Sequence, residues 1–217
     1  MLLRYPVAMT SPAGQPTLRV AELVAALSLA TDLGMGQPLE HGLQSCVLAV
    51  RLAQWAGASD EQVAECYYQA LLRFIGCTAE THVLSALFGD ELAMRADYAT
   101  VDPAKLPELL QFLFNAFRRG QGHGSALATA ATLGAHFPAL PSFFRSEFAG
   151  HCEVAERLAQ RLGFPASIVA ALGQLYERWD GRGMPHGLRG EAIAFSVRTV
   201  SLAQDALVFH RTGGVEG

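Results

Sequence analysis

The densest chemistry in the 217 residues lies in one short run, Glu177-Arg178-Trp179-Asp180-Gly181-Arg182-Gly183-Met184-Pro185-His186-Gly187-Leu188-Arg189-Gly190. Glycines at 181, 183, 187 and 190 give backbone freedom, and Pro185 stiffens the turn. The Asp180 carboxylate is placed to accept hydrogen bonds from nearby backbone amides. Such a run makes a tight excursion between two helices, carrying a carboxylate (Glu177) and a guanidinium (Arg178) at its entrance. A second Gly-rich piece, Gly120 to Gly124, lacks the Lys-Ser/Thr and the preceding strand of a phosphate cradle, and reads as a turn. Cys46, Cys66, Cys77 and Cys152 contain no CxxC pair and are read as buried, reduced residues. His82, His123, His136, His186 and His210 show no metal-ligand spacing and are assigned to surface or loops.

The elements around this loop are helices. Leu18, Val20, Leu23, Val24, Leu27 and Ala30 recur at three- and four-residue steps up to Gly34 and Gly36. A second helix begins near Pro38, carries His41 and ends near Gly57, and a third is capped by Ser59 and runs to Ile75. Further helices are expected over 79–96, 103–119 and 124–136. A long one follows over 142–162, then one from Pro165 to about Glu177 and a last one from Glu191 to about His210. The Phe residues of 112–117 and the pair Tyr67-Tyr68 fit core stripes, while Phe143, Phe144 and Phe148 fit either a core or a homodimer face. Trp179 is expected to cover the underside of the loop.

Composition agrees with an all-α globule: 51% of residues are hydrophobic, 17% are charged and strand-like alternation is nearly absent. The net charge of -4 supplies no basic field, so direct nucleic-acid binding is not expected. No apolar run reaches the roughly 20 residues that span a bilayer, and the start has no signal-peptide core, so a cytoplasmic location without membrane contact is expected. Residues 1–16 read as a flexible tail and 17–217 as one helical domain with a divergent insert at 78–150.

The loop resembles the signature of the HD-GYP branch of HD-domain phosphohydrolases, a His-His-Glu followed by Asp-Gly-x-Gly-Tyr-Pro-x-Gly-Leu-x-Gly and then Ile. Glu177, Asp180, Gly181, Gly183, Pro185, Gly187, Leu188, Gly190 and Ile193 match it without gaps. The resemblance extends over roughly residues 18 to 210 and implies an all-α HD-domain bundle. It sets His41 at the histidine that opens the HD core and His151 at the start of the His-Thr-x-x-Gly helix, with Ala155 at that helix's glycine. Leu71-Leu72-Arg73-Phe74-Ile75-Gly76-Cys77 stands at Leu-Leu-His-Asp-Ile-Gly-Lys.

Such enzymes are implied to hold two or three metal ions that activate water against a phosphodiester such as cyclic di-GMP, which needs converging imidazoles and carboxylates. Most of that set is replaced here. The His-Asp pair is Arg73-Phe74, and neither side chain has a lone pair to donate to a cation. Leu175 and Tyr176 stand at the two histidines, Gln204 at the late aspartate and Gln37 at an early carboxylate position. Asp205 lies one residue off, roughly 100° around its helix. His41 and His151 remain as weak, vestigial metal ligands, with Glu40, Glu177 or Asp205 as helpers.

Three readings follow from the sequence. The first is a catalytically degenerate bacterial signalling or ligand-sensing module that needs no cofactor. Its partner is a protein or a C-terminal output domain beyond Gly217, since such modules resemble those ahead of helix-turn-helix domains. The second is a divergent phosphohydrolase using an iron, manganese or zinc ion. The third is binding of a small phosphorylated ligand without hydrolysis, with Arg73 and Arg178 as anchors and Glu177 and Asp180 in the vestigial site. Arg73 is otherwise expected to pair internally with Glu177 or Asp205.

Overall fold

In the computed structural model of the chain, residues 19–77, 85, 88–102, 105–120 and 125–214 are described. Among them are nine α-helices: α1 (Val20–Gly34), α2 (His41–Trp55), α3 (Asp60–Leu72), α4 (Glu91–Tyr98), α5 (Leu106–Gly120), α6 (Ala126–His136), α7 (Leu140–Arg161), α8 (Ala166–Leu172) and α9 (Phe195–Gly213). The described residues contain no strand, only an isolated antiparallel bridge between Tyr176 and Met184. The all-α expectation holds. The expected tail of residues 1–16 lies outside the described residues, as do His82 and His123.

Residues of small and medium volume make the main core. Val24, Cys46, Ala49, Cys66, Leu71, Leu72, Cys152, Ala155, Ile168, Leu175 and Val200 join α1, α2, α3, α7, α8 and α9 around one buried centre. Ala at 49, 53, 155, 159 and 203 lets helix axes approach closely, which brings α9 against both α2 and α3. The four cysteines are free and buried, as expected. A second cluster of Phe88, Met94, Phe112, Leu113, Ala116, Phe117, Leu133 and Leu140 is built from α4, α5, α6 and the start of α7. The aromatic run of 112–117 therefore is a core stripe. Among the described residues, no helix is long and apolar enough to cross a membrane.

Boundaries follow local chemistry. Ser59 caps α3, its hydroxyl accepting from the Gln62 amide at 3.3 Å while Gln62 reaches back to the Ser59 amide at 3.0 Å. In place of a continuous helix over 79–96, Gly89 takes a positive φ of 74° and Asp90 caps α4, accepting from the Ala93 amide at 2.9 Å. The expected helix to Glu177 stops at Leu172. Leu175 is still buried, but Tyr176 has left the helix to pair with Met184, so apolar periodicity outran the helix there.

Candidate functional site

The site begins at the first residue of α2. Glu40, which precedes it, has a φ of 72° and offers no side-chain cap. A neighbouring helix supplies one instead: the fully buried Asp32 of α1 accepts the Gly42 amide through both carboxylate oxygens, at 3.0 and 3.2 Å. Gly42 is required there, because a Cβ would lie 2.2 Å from the Ser28 hydroxyl oxygen. Burial raises the Asp32 pKa, and the backbone amides around α2's start oppose that rise. This clamp fixes His41, which is buried, with Nδ1 lacking any hydrogen-bond partner. Burial first, then the positive charges of Arg211 and Arg73, hold its imidazole down to about 4, so it is neutral at physiological pH.

The end of α3 closes on His41. Phe74 stacks against the imidazole with ring centroids 6.1 Å apart and an interplanar angle of 22°. Arg73 extends to α9, where Nη1 donates to the Ser201 hydroxyl at 3.4 Å. The expected pairing of Arg73 with Glu177 or Asp205 is corrected, since Ser201 is its hydrogen-bond partner. Crowding raises the Asp205 pKa, against the lowering effects of Arg73 and Arg178. Gln204 is buried with its Nε2 unpartnered, and Gln37 accepts from Arg211 Nη2 at 3.0 Å.

His151, on α7, belongs to a separate hydrogen-bonded group. Its Nδ1 is 3.2 Å from the Tyr176 hydroxyl, which is 2.9 Å from Cys77 Sγ. Nε2 lies 3.7 Å from a Glu147 carboxylate oxygen one turn earlier. Burial pushes the Tyr176 phenol well above its ordinary value and the Cys77 thiol upward, so both stay protonated and exchange a neutral hydrogen bond. Gly76 makes this approach feasible, for a Cβ would sit 2.0 Å from the His151 carbonyl oxygen. Phe148 stacks on Tyr176 at 4.3 Å and Phe144 on Phe148 at 6.2 Å, while Phe143 and Phe144 pack on the second core. These rings make contacts within the chain, in keeping with the core alternative, and each stays partly exposed.

The Gly-rich loop is organised by Glu177. Its buried carboxylate accepts the amides of His186 at 2.7 Å, Gly187 at 3.2 Å and Leu188 at 2.8 Å. Asp180 accepts the Arg182 amide at 3.0 Å, as expected. Gly181 and Gly187 take φ of 79° and 68°, whereas Gly183 is needed for space: a Cβ would lie 2.3 Å from the Arg178 amide nitrogen. Pro185 shares its edge of the loop with Arg145, whose Nη1 donates to the Pro185 carbonyl at 2.9 Å. Arg178 is engaged by Asp180 at 3.1 Å and by Asp102 at 3.4 Å, and so is not a free phosphate anchor. Trp179 is not an underside cover but is 60% exposed, beside Gly190 and under the Arg198 guanidinium at 5.6 Å. His186 and His210 are exposed, as expected.

The structure thus brings His41, Arg73 and Phe74 together with Gln204's helix, and sets Glu177, Arg178 and Asp180 in the loop. Asp32, Arg95, Arg211 and the Tyr176–Cys77 contact were not legible in the sequence. Nothing in spacing distinguishes Asp32 or Arg95 from an exposed helical residue, although Gly42 and Gly76 mark two of the close approaches.

Residues 142–212 match the HD domain family. The chain is similar to 3'3'-cGAMP-specific phosphodiesterase 3 of Vibrio cholerae serotype O1, with 24% identity over 203 residues that cover 93% of this chain and 43% of the relative. A solved structure described as a cyclic GMP-AMP specific phosphodiesterase of V. cholerae, V-cGAP3, superposes with a TM-score of 0.59 at 22% identity. That likeness covers 91% of this chain and 42% of the solved one, and shows the shared fold. The chain therefore spans less than half the length of the relative and of the solved structure.

These relatives overturn the expectation that no cofactor is involved, because HD-domain phosphodiesterases are metal-dependent and a metal ion is what the family implies here. The described residues do not fit a centre of two ions. No three His, Cys, Asp or Glu side chains among them converge as ligands. The HD pair's place holds a guanidinium and a phenyl ring. Glu177 is engaged by three backbone amides, and His151 lies between the Tyr176 phenol and the Glu147 carboxylate.

Proposed function

We propose, from the premise that this chain belongs to the HD-domain family, that it recognises a cyclic dinucleotide as a sensing domain of the phosphodiesterase lineage, with recognition outlasting hydrolysis. One observation carries the proposed loss of hydrolysis: Phe74 stacks beside His41, ring centroids 6.1 Å apart, while its neighbour Arg73 bonds Ser201. A water activated for attack on phosphorus needs cations held by lone pairs, and these two side chains offer none. The ligand class rests on the relative's name, which specifies 3'3'-cGAMP. The setting we infer is the bacterial cytoplasm, supported by four free cysteines and a bacterial relative. The receiver of the signal is a protein partner or a further output domain.

A second reading is a divergent metal-dependent phosphohydrolase. The relatives favour it over the regulatory reading, since both are phosphodiesterases by name. The two readings separate in one experiment. Calorimetric titration with 3'3'-cGAMP and with cyclic di-GMP, in manganese-containing buffer, is followed by chromatography of the recovered nucleotide. Saturable binding with intact nucleotide supports sensing; linearised or cleaved nucleotide supports hydrolysis; absence of binding by either nucleotide refutes the sensing reading.

A further inference from the structure

Helix α4 carries Met94 and Arg95 side by side, and both are buried. Burial suits the thioether and is costly for the guanidinium, which stays protonated and must be paired or solvated. Arg95 is 6% exposed, and its Nη1 is 3.1 Å from the Met35 sulfur, a weak acceptor. Among the described residues, its Nε and Nη2 have no hydrogen-bond partner. Folding has therefore enclosed, among those residues, a cation with no carboxylate paired to it.

Its surroundings add positive charge. Met35 opens the connection from α1 to α2, and two residues on, buried Gln37 holds the Arg211 guanidinium of α9 at 3.0 Å. The connection ends at His41, against Phe74, whose sequence neighbour is Arg73. Three guanidinium groups from α4, α9 and the end of α3 thus border one short stretch. Among the described residues, His41 Nδ1 at the end of the connection and Gln204 Nε2 on α9 are buried without hydrogen-bond partners. Asp32 directs both carboxylate oxygens to the Gly42 amide, and the charge acting on it is that of Arg211.

We propose that Arg95 is the principal donor of an oxyanion site beside the α1–α2 connection, with Arg73 and Arg211 supplying field, that takes a phosphate group. The shared chemistry is a compact phosphorus oxyanion, either free phosphate or the phosphodiester of a cyclic dinucleotide. A guanidinium offering Nε and Nη2 presents the two parallel donors that two phosphate oxygens accept. This inference rests on the sensing reading above, since it names the part of the ligand that is held. Where the family implies bound cations, this chain would bind the anion directly.

The test follows thermal unfolding of the full chain against inorganic phosphate, pyrophosphate and 3'3'-cGAMP, with sodium chloride at matched ionic strength. Phosphate is expected to raise Tm saturably beyond chloride. Arg95→Met, which keeps the stem's volume, should abolish that rise without lowering the Tm of the unliganded chain. Should that variant fail to fold, Arg95→Lys retains the charge but not the fork, and weakens phosphate by about tenfold. No rise beyond chloride, or a rise that Arg95→Met or Arg95→Lys leaves intact, overturns the site. A phosphate effect that depends on Arg95 with no response to 3'3'-cGAMP establishes the site for free phosphate and removes that nucleotide from the sensing reading. A response to 3'3'-cGAMP that ignores Arg95 sinks the site and leaves sensing in place. Loss of both responses in Arg95→Met identifies the nucleotide's phosphodiester as the source.

Discussion

The loop after Glu177 keeps the pattern of the HD-GYP signature it resembles, whereas the pocket around His41 departs from it. Glu177, Asp180 and the glycines are each tied to backbone: three amides on Glu177, one on Asp180, positive φ at Gly181 and Gly187, no room for a Cβ at Gly183. Those demands persist whether or not the domain hydrolyses anything. At positions 73 and 74, where the HD signature sets a His-Asp pair, Arg73 and Phe74 meet Ser201 and His41. A motif that shapes the chain is retained by folding, whereas a motif that only ligates is retained by chemistry.

The comparison can be broken from the loop side first. Gly183→Ala places a Cβ against the Arg178 amide nitrogen at 2.3 Å and the Glu177 Cα at 2.5 Å, backbone atoms that cannot step aside. A loss of about 4 kcal/mol is expected in urea unfolding. A loss under about 1 kcal/mol would mean that the loop is not a packed unit.

On the pocket side, His41 makes stability depend on pH. Its pKa falls from an ordinary 6.5 to about 4 in the folded chain, so the unfolded chain binds the extra proton between those values. The His41 contribution is complete above 6.5 and is lost as pH falls toward 4, by about 3 kcal/mol in total. Denaturation midpoints at pH 7.5 and pH 4.5 should differ less in His41→Gln than in the parent; an unchanged difference would place the acid sensitivity elsewhere.

Glu177→Gln keeps one acceptor oxygen but turns an amide NH2 toward backbone donors. A cost of about 2 kcal/mol is expected, with faster proteolysis at 178–190. If stability is unchanged, the carboxylate does not organise the loop. Arg178→Ala removes only partly exposed ion pairs to Asp180 and Asp102 and should shift stability by less than about 0.5 kcal/mol. A larger, salt-sensitive loss would tie Arg178 into the pocket.

Much of the fold was legible because apolar periodicity and caps state it locally. Ser59 with Gln62, and Gly163 before Pro165, mark ends that the structure keeps. The same periodicity overran at Leu175, whose burial comes from the core and not from a helix. Asp90 was a readable cap for α4 that the longer helix obscured. Of the site, the resemblance to the HD-GYP signature identified the departures at 73, 74, 175, 176 and 204. It could not identify what replaced it, because Asp32, Arg95 and Arg211 meet the connection only through tertiary packing.

The most direct test of the loss of hydrolysis is a single-turnover reaction, with this chain in excess over 3'3'-cGAMP and ferrous or manganous ion added. The account predicts that the nucleotide is recovered whole after hours. Cleavage that follows first-order kinetics and stops on chelation would contradict it, and would return the pocket around His41 to the enzymes.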